Sequence, residues 1–170
     1  MTGAPVIRPD DPLSPAALRL LQAHHVHSNA HSPPESVHAL QPEELAAPGV
    51  TFWTARQGDD VIGCCAMKEL DAGHGELKSM HTAESRRGQG IGGRMLDFLI
   101  AEARRRGYRR VSLETGSMDA YRPARAMYAG RGFVACPPFG AYIADPNSAF
   151  MTLDLVSGAG GDHPVGARGE

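Results

Sequence analysis

The sequence predicts an α/β (α+β) fold, with a mixed, largely antiparallel sheet of seven strands and helices on both faces. Three strand-like stretches in residues 50–82 are joined by the tight turn signals "QGDD" and "DAGHG". Short turns of this kind produce an antiparallel meander. A glycine-rich turn and a long amphipathic helix then lead to another strand, and this order of elements forms one parallel crossover, so the sheet has to be mixed.

The first third of the chain predicts a strand, a helix and a long connection. The stretch "VIRPDD" fits a short strand, and "LSPAALRLLQAHHVHSN" fits a helix that Ser14 caps and Pro15 opens. Residues 31–49 form a proline-rich connection with room for one helical turn. Connections of this length in a compact domain are usually either functional or disordered.

The second half of the chain alternates helices and strands. Apolar residues recur at helical spacing from about Gly90 to Arg106, and Gly107 ends this helix. The stretches "YRRVSLETG", "MDAYRPARAMYAGRG", "FVACPP" and "SAFMTLDLV" then fit a strand, a helix and two strands. We expect one domain over residues 1–156. The tail, residues 157–170, is glycine-rich and poor in apolar side chains, which predicts disorder.

Composition and charge argue against several classes of protein. A chain of 170 residues suits one domain, and a net charge of −2 gives no general attraction to nucleic acid or to an anionic membrane. The N-terminus has no apolar signal-peptide core, and no run of about 18 apolar residues occurs. Cys64 and Cys65 are adjacent in a predicted strand and therefore point to opposite faces, and no C-x-x-C motif is present. We expect a cytoplasmic protein.

The stretch "SRRGQGIGGRML" fits two different phosphate-binding motifs. The dinucleotide fingerprint G-x-G-x-x-G matches at Gly88, Gly90 and Gly93, with an acidic residue, Glu114, about 20 residues further on. The motif R-x-x-G-x-G matches from Arg87. Five residues, "AESRR", separate the preceding strand from the first glycine, whereas a dinucleotide site needs the strand to run straight into it. The second motif is favoured, with backbone amides at a helix N-terminus cradling a pyrophosphate; an oxidoreductase and a plain turn are the alternatives.

Three segments together resemble the GCN5-related N-acetyltransferase (GNAT) superfamily: "MHTAESRRGQGIGGRML", "GYRRVSLETG" and "PARAMYAGRGFV". The first is similar to the acetyl-CoA pyrophosphate loop, R/Q-x-x-G-x-G/A. The last is similar to the motif A-x-x-x-Y-x-x-x-G-F, which falls on Ala124, Tyr128, Gly132 and Phe133. The resemblance covers roughly residues 50–156. Two positions depart from the pattern: Glu84 stands where proline is common, and Tyr121 where asparagine is common.

The resemblance implies an enzyme that binds acetyl-CoA as cosubstrate between two splayed central strands. The strand before the loop would pair with the pantetheine arm and polarise the thioester carbonyl through a backbone N–H, at Met80, His81 and Thr82. The loop amides would hold the pyrophosphate, and arginine side chains would add charge; the residues implied are Arg87, Gly88, Gln89, Gly90, Ile91, Gly92 and Arg94. Tyr128 would protonate the departing thiolate.

Transfer to an amine also needs a group that takes up the proton of the amine. Glu76, at the start of the splayed strand, is the first candidate, and Glu114, at the end of the neighbouring parallel strand, is the second. Either side chain can equally be an ordinary strand carboxylate that faces solvent. His81 is a third candidate, although strand alternation would turn its side chain away from the cleft.

The resemblance further implies that the region between the first two strands shapes the acceptor pocket. His27 and His31, which share a helix face with His24, and Tyr142 in a later loop are the candidate acceptor contacts. The histidine spacing also fits metal ligands, but no H-E-x-x-H motif or cysteine cluster supports a metal, and none is expected. We expect direct acetyl transfer to the primary amine of a small molecule or amino acid. The alternatives are a protein or peptide amine, or a CoA-binding module without catalysis; a homodimer is common in the superfamily.

Overall fold

The computed structural model describes residues 3–156, and within this range it contains one seven-stranded sheet and four helices. The strands are β1 (Val6–Pro9), β2 (Val50–Gln57), β3 (Asp60–Asp71), β4 (His74–Thr82), β5 (Arg110–Gly116), β6 (Val134–Ala135) and β7 (Ser148–Asp154). The helices are α1 (Pro15–His31), α2 (Pro42–Leu45), α3 (Ile91–Arg105) and α4 (Arg122–Gly130). Three short 3₁₀ turns lie at Pro34–Ser36, Glu84–Arg86 and Asp119–Tyr121.

The strands are ordered β1-β2-β3-β4-β5-β7-β6 across the sheet. The pair β4 and β5 is parallel, and every other neighbouring pair is antiparallel. The helix α3 makes the crossover between the two parallel strands. The predicted mixed, largely antiparallel sheet is therefore confirmed.

Two hydrophobic clusters lie on opposite faces of the sheet. One contains residues of α3 and α4 together with Trp53 and Cys65, and the other contains residues of α1 and α2 together with Phe52 and Cys64. Neighbouring residues of β2 and of β3 thus face different clusters, as the period of two requires. Helices cover both faces, which confirms that prediction and places the central strands between two helical layers.

Local signals set the helix ends. The Ser14 side chain accepts a hydrogen bond from the backbone N–H of Ala17 at 3.4 Å, as expected for an N-cap. The helix α3 follows Gly90, whose φ is 79°, and the chain leaves it through Gly107, whose φ is also 79°. The proline-rich connection after α1 contains a 3₁₀ turn and α2, so it is more structured than its composition indicates.

Strand β6 is much shorter than predicted. Only Val134 and Ala135 pair with β7 as a strand, and one further hydrogen bond joins the amide of Cys136 to the carbonyl of Phe150 at 3.0 Å. The next residues are Pro137 and Pro138, which have no amide hydrogen to donate, so the ladder ends there. No helix in residues 3–156 is long and apolar enough to cross a membrane. The expected disorder of residues 157–170 concerns positions outside the described range.

Strand β4 departs from regular pairing on both of its edges. Along β3 the register shifts between Cys64 and Ala66, which places an extra residue in β4 near Ser79. Along β5 only His74–Glu76 are paired, with residues 110–112, and the two strands separate beyond Glu76. The central pair is therefore splayed, and the space between its strands is where the site lies.

Candidate active site

A cavity of about 530 Å³ opens where β4 and β5 separate. Its walls come from α1, the connection after α1, β4, the loop before α3, β5 and α4. Side chains from both faces of the sheet reach it, since α1 and α4 cover opposite faces. Two reactants can therefore approach one point from opposite sides of the sheet.

The glycine-rich loop before α3 presents unused backbone amides to this cavity. Gly88 and Gly90 have φ angles of 78° and 79°, a conformation that glycine adopts without steric cost. In residues 3–156, no acceptor engages the amides of residues 88–93, which include the first turn of α3. These amides and the positive end of the helix dipole form an anion site, and Arg86 and Arg87 line the cavity beside it.

Three of the predicted loop positions are placed differently. The amide of Arg87 donates to the carbonyl of Glu84 at 3.3 Å, because the 3₁₀ turn before the loop uses it. Gln89 and Arg94 are exposed and do not line the cavity. The amides available for an anion are thus those of residues 88–93, whereas the sequence indicated residues 87–92.

The end of β4 directs backbone groups into the gap. The amide of Ala83 donates to the carbonyl of Ile62 at 2.9 Å, toward β3. Successive backbone N–H groups point to alternate edges of a strand, so the N–H of Thr82 points toward β5. The two strands are not paired at that position. Met80 and Thr82 both line the cavity. This unpaired edge matches the predicted position for an extended ligand.

Tyr128 reaches the cavity from α4 and is almost completely buried. Its hydroxyl group lies 3.8 Å from the sulfur of Met80, across the gap. Burial raises the pKa of Tyr128 to about 12, and the nearby negative charge of Glu114 contributes in the same direction. The phenol is therefore protonated at neutral pH and can donate a proton.

The two carboxylates predicted from the sequence have different surroundings. The Oε2 atom of Glu76 accepts hydrogen bonds from Tyr142 at 2.5 Å and from Lys78 at 3.0 Å. The Oε2 atom of Glu114 accepts one from Ser148 at 2.6 Å. Burial raises the pKa of Glu114 above its usual value, while the Ser148 hydrogen bond and the more distant Lys78 act in the opposite direction. Both carboxylates line the cavity.

His81 points into the cavity, contrary to the prediction from strand alternation. Its ring packs against His24 of α1, with 5.3 Å between the ring centroids. The extra residue near Ser79 reverses the alternation of β4, so that Lys78 and His81 face the same side of the sheet. Burial lowers the pKa of His81 to about 4 and that of His24 to about 3, and both imidazoles are neutral at neutral pH.

The predicted acceptor contacts separate into two groups. His27 and Tyr142 line the cavity, whereas His31 is exposed and lies outside it. His31 packs instead against the outer side of His27, with 4.6 Å between ring centroids. In residues 3–156, no group of three histidine, cysteine, aspartate or glutamate side chains is arranged to hold a metal ion.

The sequence model of the Acetyltransferase (GNAT) family matches residues 17–133, which is more than half of the chain. The chain belongs to this family. The resemblance carried by the glycine-rich loop and by the Tyr128 helix is therefore confirmed.

Named relatives of this GNAT protein are N-acetyltransferases. An uncharacterized N-acetyltransferase, YsnE, of Bacillus subtilis (strain 168) is 52% identical over 132 residues, which cover 77% of this chain and 87% of YsnE. An IAA acetyltransferase of Azospirillum brasilense is 37% identical over 147 residues, which cover 86% of this chain and 95% of that protein. This GNAT protein is accordingly an N-acetyltransferase.

Solved structures agree with this assignment. A Klebsiella pneumoniae protein described as an acyl-CoA N-acyltransferase matches with a TM-score of 0.73 and 27% identity, over 89% of this chain and 97% of that one. A GNAT acetyltransferase of Elizabethkingia anophelis, solved with acetyl-CoA bound, shares the fold, with a TM-score of 0.65 and 20% identity over 89% and 98% of the two chains. As a member of the Acetyltransferase (GNAT) family, the present enzyme uses acetyl-CoA as its cosubstrate.

The site residues of this acetyltransferase that were not singled out from the sequence include Lys78, Ser79 and Tyr121. Lys78 follows Glu76 by two strand positions, and this same-face spacing is a signal that the sequence contains. The ring of His38 packs against that of Tyr142, with centroids 5.1 Å apart. The hydroxyl of Tyr121 is 2.8 Å from that of Ser32, a contact between residues 89 positions apart that no local pattern indicates.

Proposed function

We propose that this acetyltransferase transfers an acetyl group directly from acetyl-CoA to the primary amine of a small molecule or amino acid. In this proposal Glu114 is the general base and Tyr128 is the general acid. The observation that carries the proposal is the position of Glu114, at the edge of the splayed gap, close enough to Tyr128 that its charge raises the pKa of the phenol.

The choice of Glu114 over Glu76 depends on what each carboxylate already binds. Glu76 is neutralised by Lys78, and both side chains are less than one-tenth exposed. Its Oε2 atom also accepts a hydrogen bond from the Tyr142 hydroxyl. Protonation of Glu76 would therefore disrupt its contacts with both Lys78 and Tyr142. Glu114 has one hydroxyl donor and a raised pKa. A base is most effective when its pKa approaches the working pH, which favours Glu114.

The two proposed groups would act in sequence. An alkyl amine is mostly protonated at neutral pH and becomes a nucleophile when Glu114 accepts its proton. The neutral amine then attacks the thioester carbonyl, and as the carbon–sulfur bond breaks the hydroxyl of Tyr128 would give its proton to the sulfur. The excess proton on the newly acylated nitrogen would return to Tyr128 and restore the phenol, while Glu114 later releases its proton to solvent. Once Glu114 has taken up a proton, it no longer raises the pKa of Tyr128. The first proton transfer therefore makes Tyr128 a stronger acid for the second.

The proposal of a small acceptor rests on the connection after α1, which crosses the cavity on the α1 side. The Ser32 hydroxyl is bonded to that of Tyr121 at 2.8 Å, and the Ser36 hydroxyl donates to Asp145 at 2.6 Å. These bonds join the connection to the 3₁₀ turn before α4 on one side and to the loop before β7 on the other. A compact amine fits beneath such a crossing segment, whereas a folded protein surface would have to displace it.

The proposed base is tested by measuring thiol release from acetyl-CoA against pH for Glu114→Gln and for Glu76→Gln. We expect Glu114→Gln to lower kcat by about 10² or more and to abolish the acidic limb of the pH profile, which belongs to a carboxyl group of raised pKa. Glu76→Gln should leave Lys78 without its partner and raise the acceptor KM, but retain that limb. If the limb disappears in Glu76→Gln and persists in Glu114→Gln, the roles are reversed.

The acceptor class is tested in the same assay with two panels, one of small primary amines and amino acids and one of peptides with free amines. Tyr128→Phe serves as the control, because it keeps the buried ring and removes the proposed acid. We expect turnover with members of the first panel and a large loss of kcat in the control. Turnover confined to peptides would contradict the small-molecule proposal, and the absence of turnover in both panels would favour a binding module.

A further inference from the structure

Ser79 combines two unusual features at one position of the cavity wall. Its φ angle is 55°, and among residues 3–156 no other non-glycine residue has a positive φ. Its Oγ atom is also the one buried side-chain nitrogen or oxygen in that range without a hydrogen-bond partner. A strained backbone and an unpaired buried hydroxyl each cost free energy, and such costs concentrate where a residue has a function.

The strained conformation is held from the side opposite the cavity. The thiol of Cys64, which is fully buried, donates a hydrogen bond to the carbonyl oxygen of Ser79 at 3.3 Å. The register shift between β3 and β4 occurs at the same place. The bulge is therefore a fixed part of the fold, and it places Ser79 on the wall of the cavity.

The two neighbours of Ser79 in β4 indicate which part of the reaction it faces. Lys78, on the α1 side, is hydrogen-bonded to Glu76 and Tyr142 on the acceptor wall. Met80, on the α4 side, contacts the hydroxyl of Tyr128, the proposed proton donor to the leaving sulfur. The carbonyl carbon that passes from sulfur to nitrogen must lie between these two walls, and Ser79 lies between them in the chain.

We propose that the hydroxyl of Ser79 donates a hydrogen bond to the acetyl carbonyl oxygen as the amine attacks. Negative charge develops on that oxygen when the nitrogen–carbon bond forms, and it disappears when the carbon–sulfur bond breaks. The Oγ atom has almost no accessible surface in the ligand-free protein, so it reaches this oxygen by a rotation of the side chain about χ1, and no hydrogen bond to the protein opposes that rotation. Ser79 thus adds a side-chain donor to the backbone N–H groups of the same strand.

The test compares Ser79→Ala and Ser79→Gly with the wild-type enzyme. Both variants remove the hydroxyl, and glycine also removes the cost of the positive φ, so it protects the experiment against a folding defect. We expect kcat to fall about 10- to 100-fold in both variants, with the KM for acetyl-CoA changed by less than about twofold. The melting temperature of the unliganded protein should not fall, because the lost hydroxyl has no partner.

Ser112→Ala is the matched control. Ser112 is another buried serine, on β5, but its hydroxyl is bonded to His74 and Thr152, and it lies outside the active-site cavity. We expect this variant to lose thermal stability and to retain kcat, the opposite of the Ser79 pattern. Unchanged kcat in either Ser79 variant, a loss confined to KM, or a loss that follows the melting temperature would overturn the proposal.

The inference rests on acetyl transfer in this cavity but not on the identity of the acceptor. Thiol release is therefore measured both with an amine and with water as the acceptor, that is, as hydrolysis of acetyl-CoA. If the proposed amine class is wrong, the wild-type enzyme fails with the amines while hydrolysis still reports on Ser79. Hydrolysis at the wild-type rate in both Ser79 variants would contradict the role proposed for the hydroxyl and would leave the proposed amine class unaffected.

Discussion

Lowering the pH from 6.5 to 5 is expected to destabilise this acetyltransferase, because the half-buried His24 and the buried His81 are neutral imidazoles in the folded protein. Burial, followed by the positive charge of nearby groups, lowers the pKa of His24 to about 3 and that of His81 to about 4. In the unfolded chain both side chains bind a proton near their ordinary pKa of 6.5. The stabilisation is present above pH 6.5 and is lost as the pH falls toward the folded-state values.

The expected size follows from this difference in proton binding. Each pH unit below 6.5 favours the unfolded state by about 1.4 kcal/mol for each histidine, as long as the folded state stays neutral. At pH 5 this gives about 2 kcal/mol for each of His24 and His81, or about 4 kcal/mol for the pair. Domains of this size are typically stable by about 5–15 kcal/mol, so the effect is a large fraction of the total.

The measurement is urea unfolding at several pH values for the wild type, His24→Gln, His81→Gln and both together. Each single variant should reduce the loss of stability by about 2 kcal/mol and the double variant by about 4 kcal/mol, and the remaining slope includes contributions from His27 and His74, whose pKa values burial also lowers. His31→Gln, an exposed position at the end of the same helix, is the control and should keep the wild-type slope. The reasoning fails if the wild type loses less than about 1 kcal/mol over this range, or if the double variant keeps the full slope.

Three further predictions concern the loop, the acceptor wall and the core. Gly90→Ala, at a φ of 79°, should raise the acetyl-CoA KM about tenfold, through strain of about 1–2 kcal/mol, without unfolding the protein; KM measurements and circular dichroism check this. Tyr121→Phe breaks the bond to Ser32 but keeps the ring, so the acceptor KM should rise several-fold while the acetyl-CoA KM is unchanged; an equal rise in both would contradict it. Leu99→Ala empties a fully buried position and should cost about 2–5 kcal/mol in urea unfolding, with the acetyl-CoA KM retained.

The elements and the glycine-rich loop could be predicted because their signals are local. The period of two in β2 and β3, the helical spacing in α3, the N-cap at Ser14 and the glycine after α3, Gly107, are each encoded within a few neighbouring residues. The parallel crossover also follows from local order, since a strand, a helix and a strand have few ways to connect.

The arrangement of the site depends on contacts that the sequence order does not indicate. The bulge at Ser79 inserts one residue and reverses the side-chain alternation of β4. His81 therefore lines the cavity, although regular alternation predicted that its side chain would point away from it. Nothing in the stretch "ELKSMHT" marks serine as the residue with positive φ. The ranking of Glu76 and Glu114 likewise depends on Tyr142, which is 66 positions from Glu76.

The splay of β4 and β5 explains how one structural feature can serve both substrates. Beyond Glu76 the inner edges of the two strands are unpaired, yet β4 remains paired with β3, and β5 pairs with β7 over residues 110–116. Each strand is thus paired along its outer edge, and the gap can stay open without loss of the remaining strand pairing.

An extended ligand can complete the unpaired edge of β4 as an added strand would. Its reactive end would then lie between the α1 face, with Glu114, and the α4 face, with Tyr128. Closing the gap by extending the pairing would remove both the binding edge and the passage between the faces, so the lost strand pairing is a requirement of the chemistry.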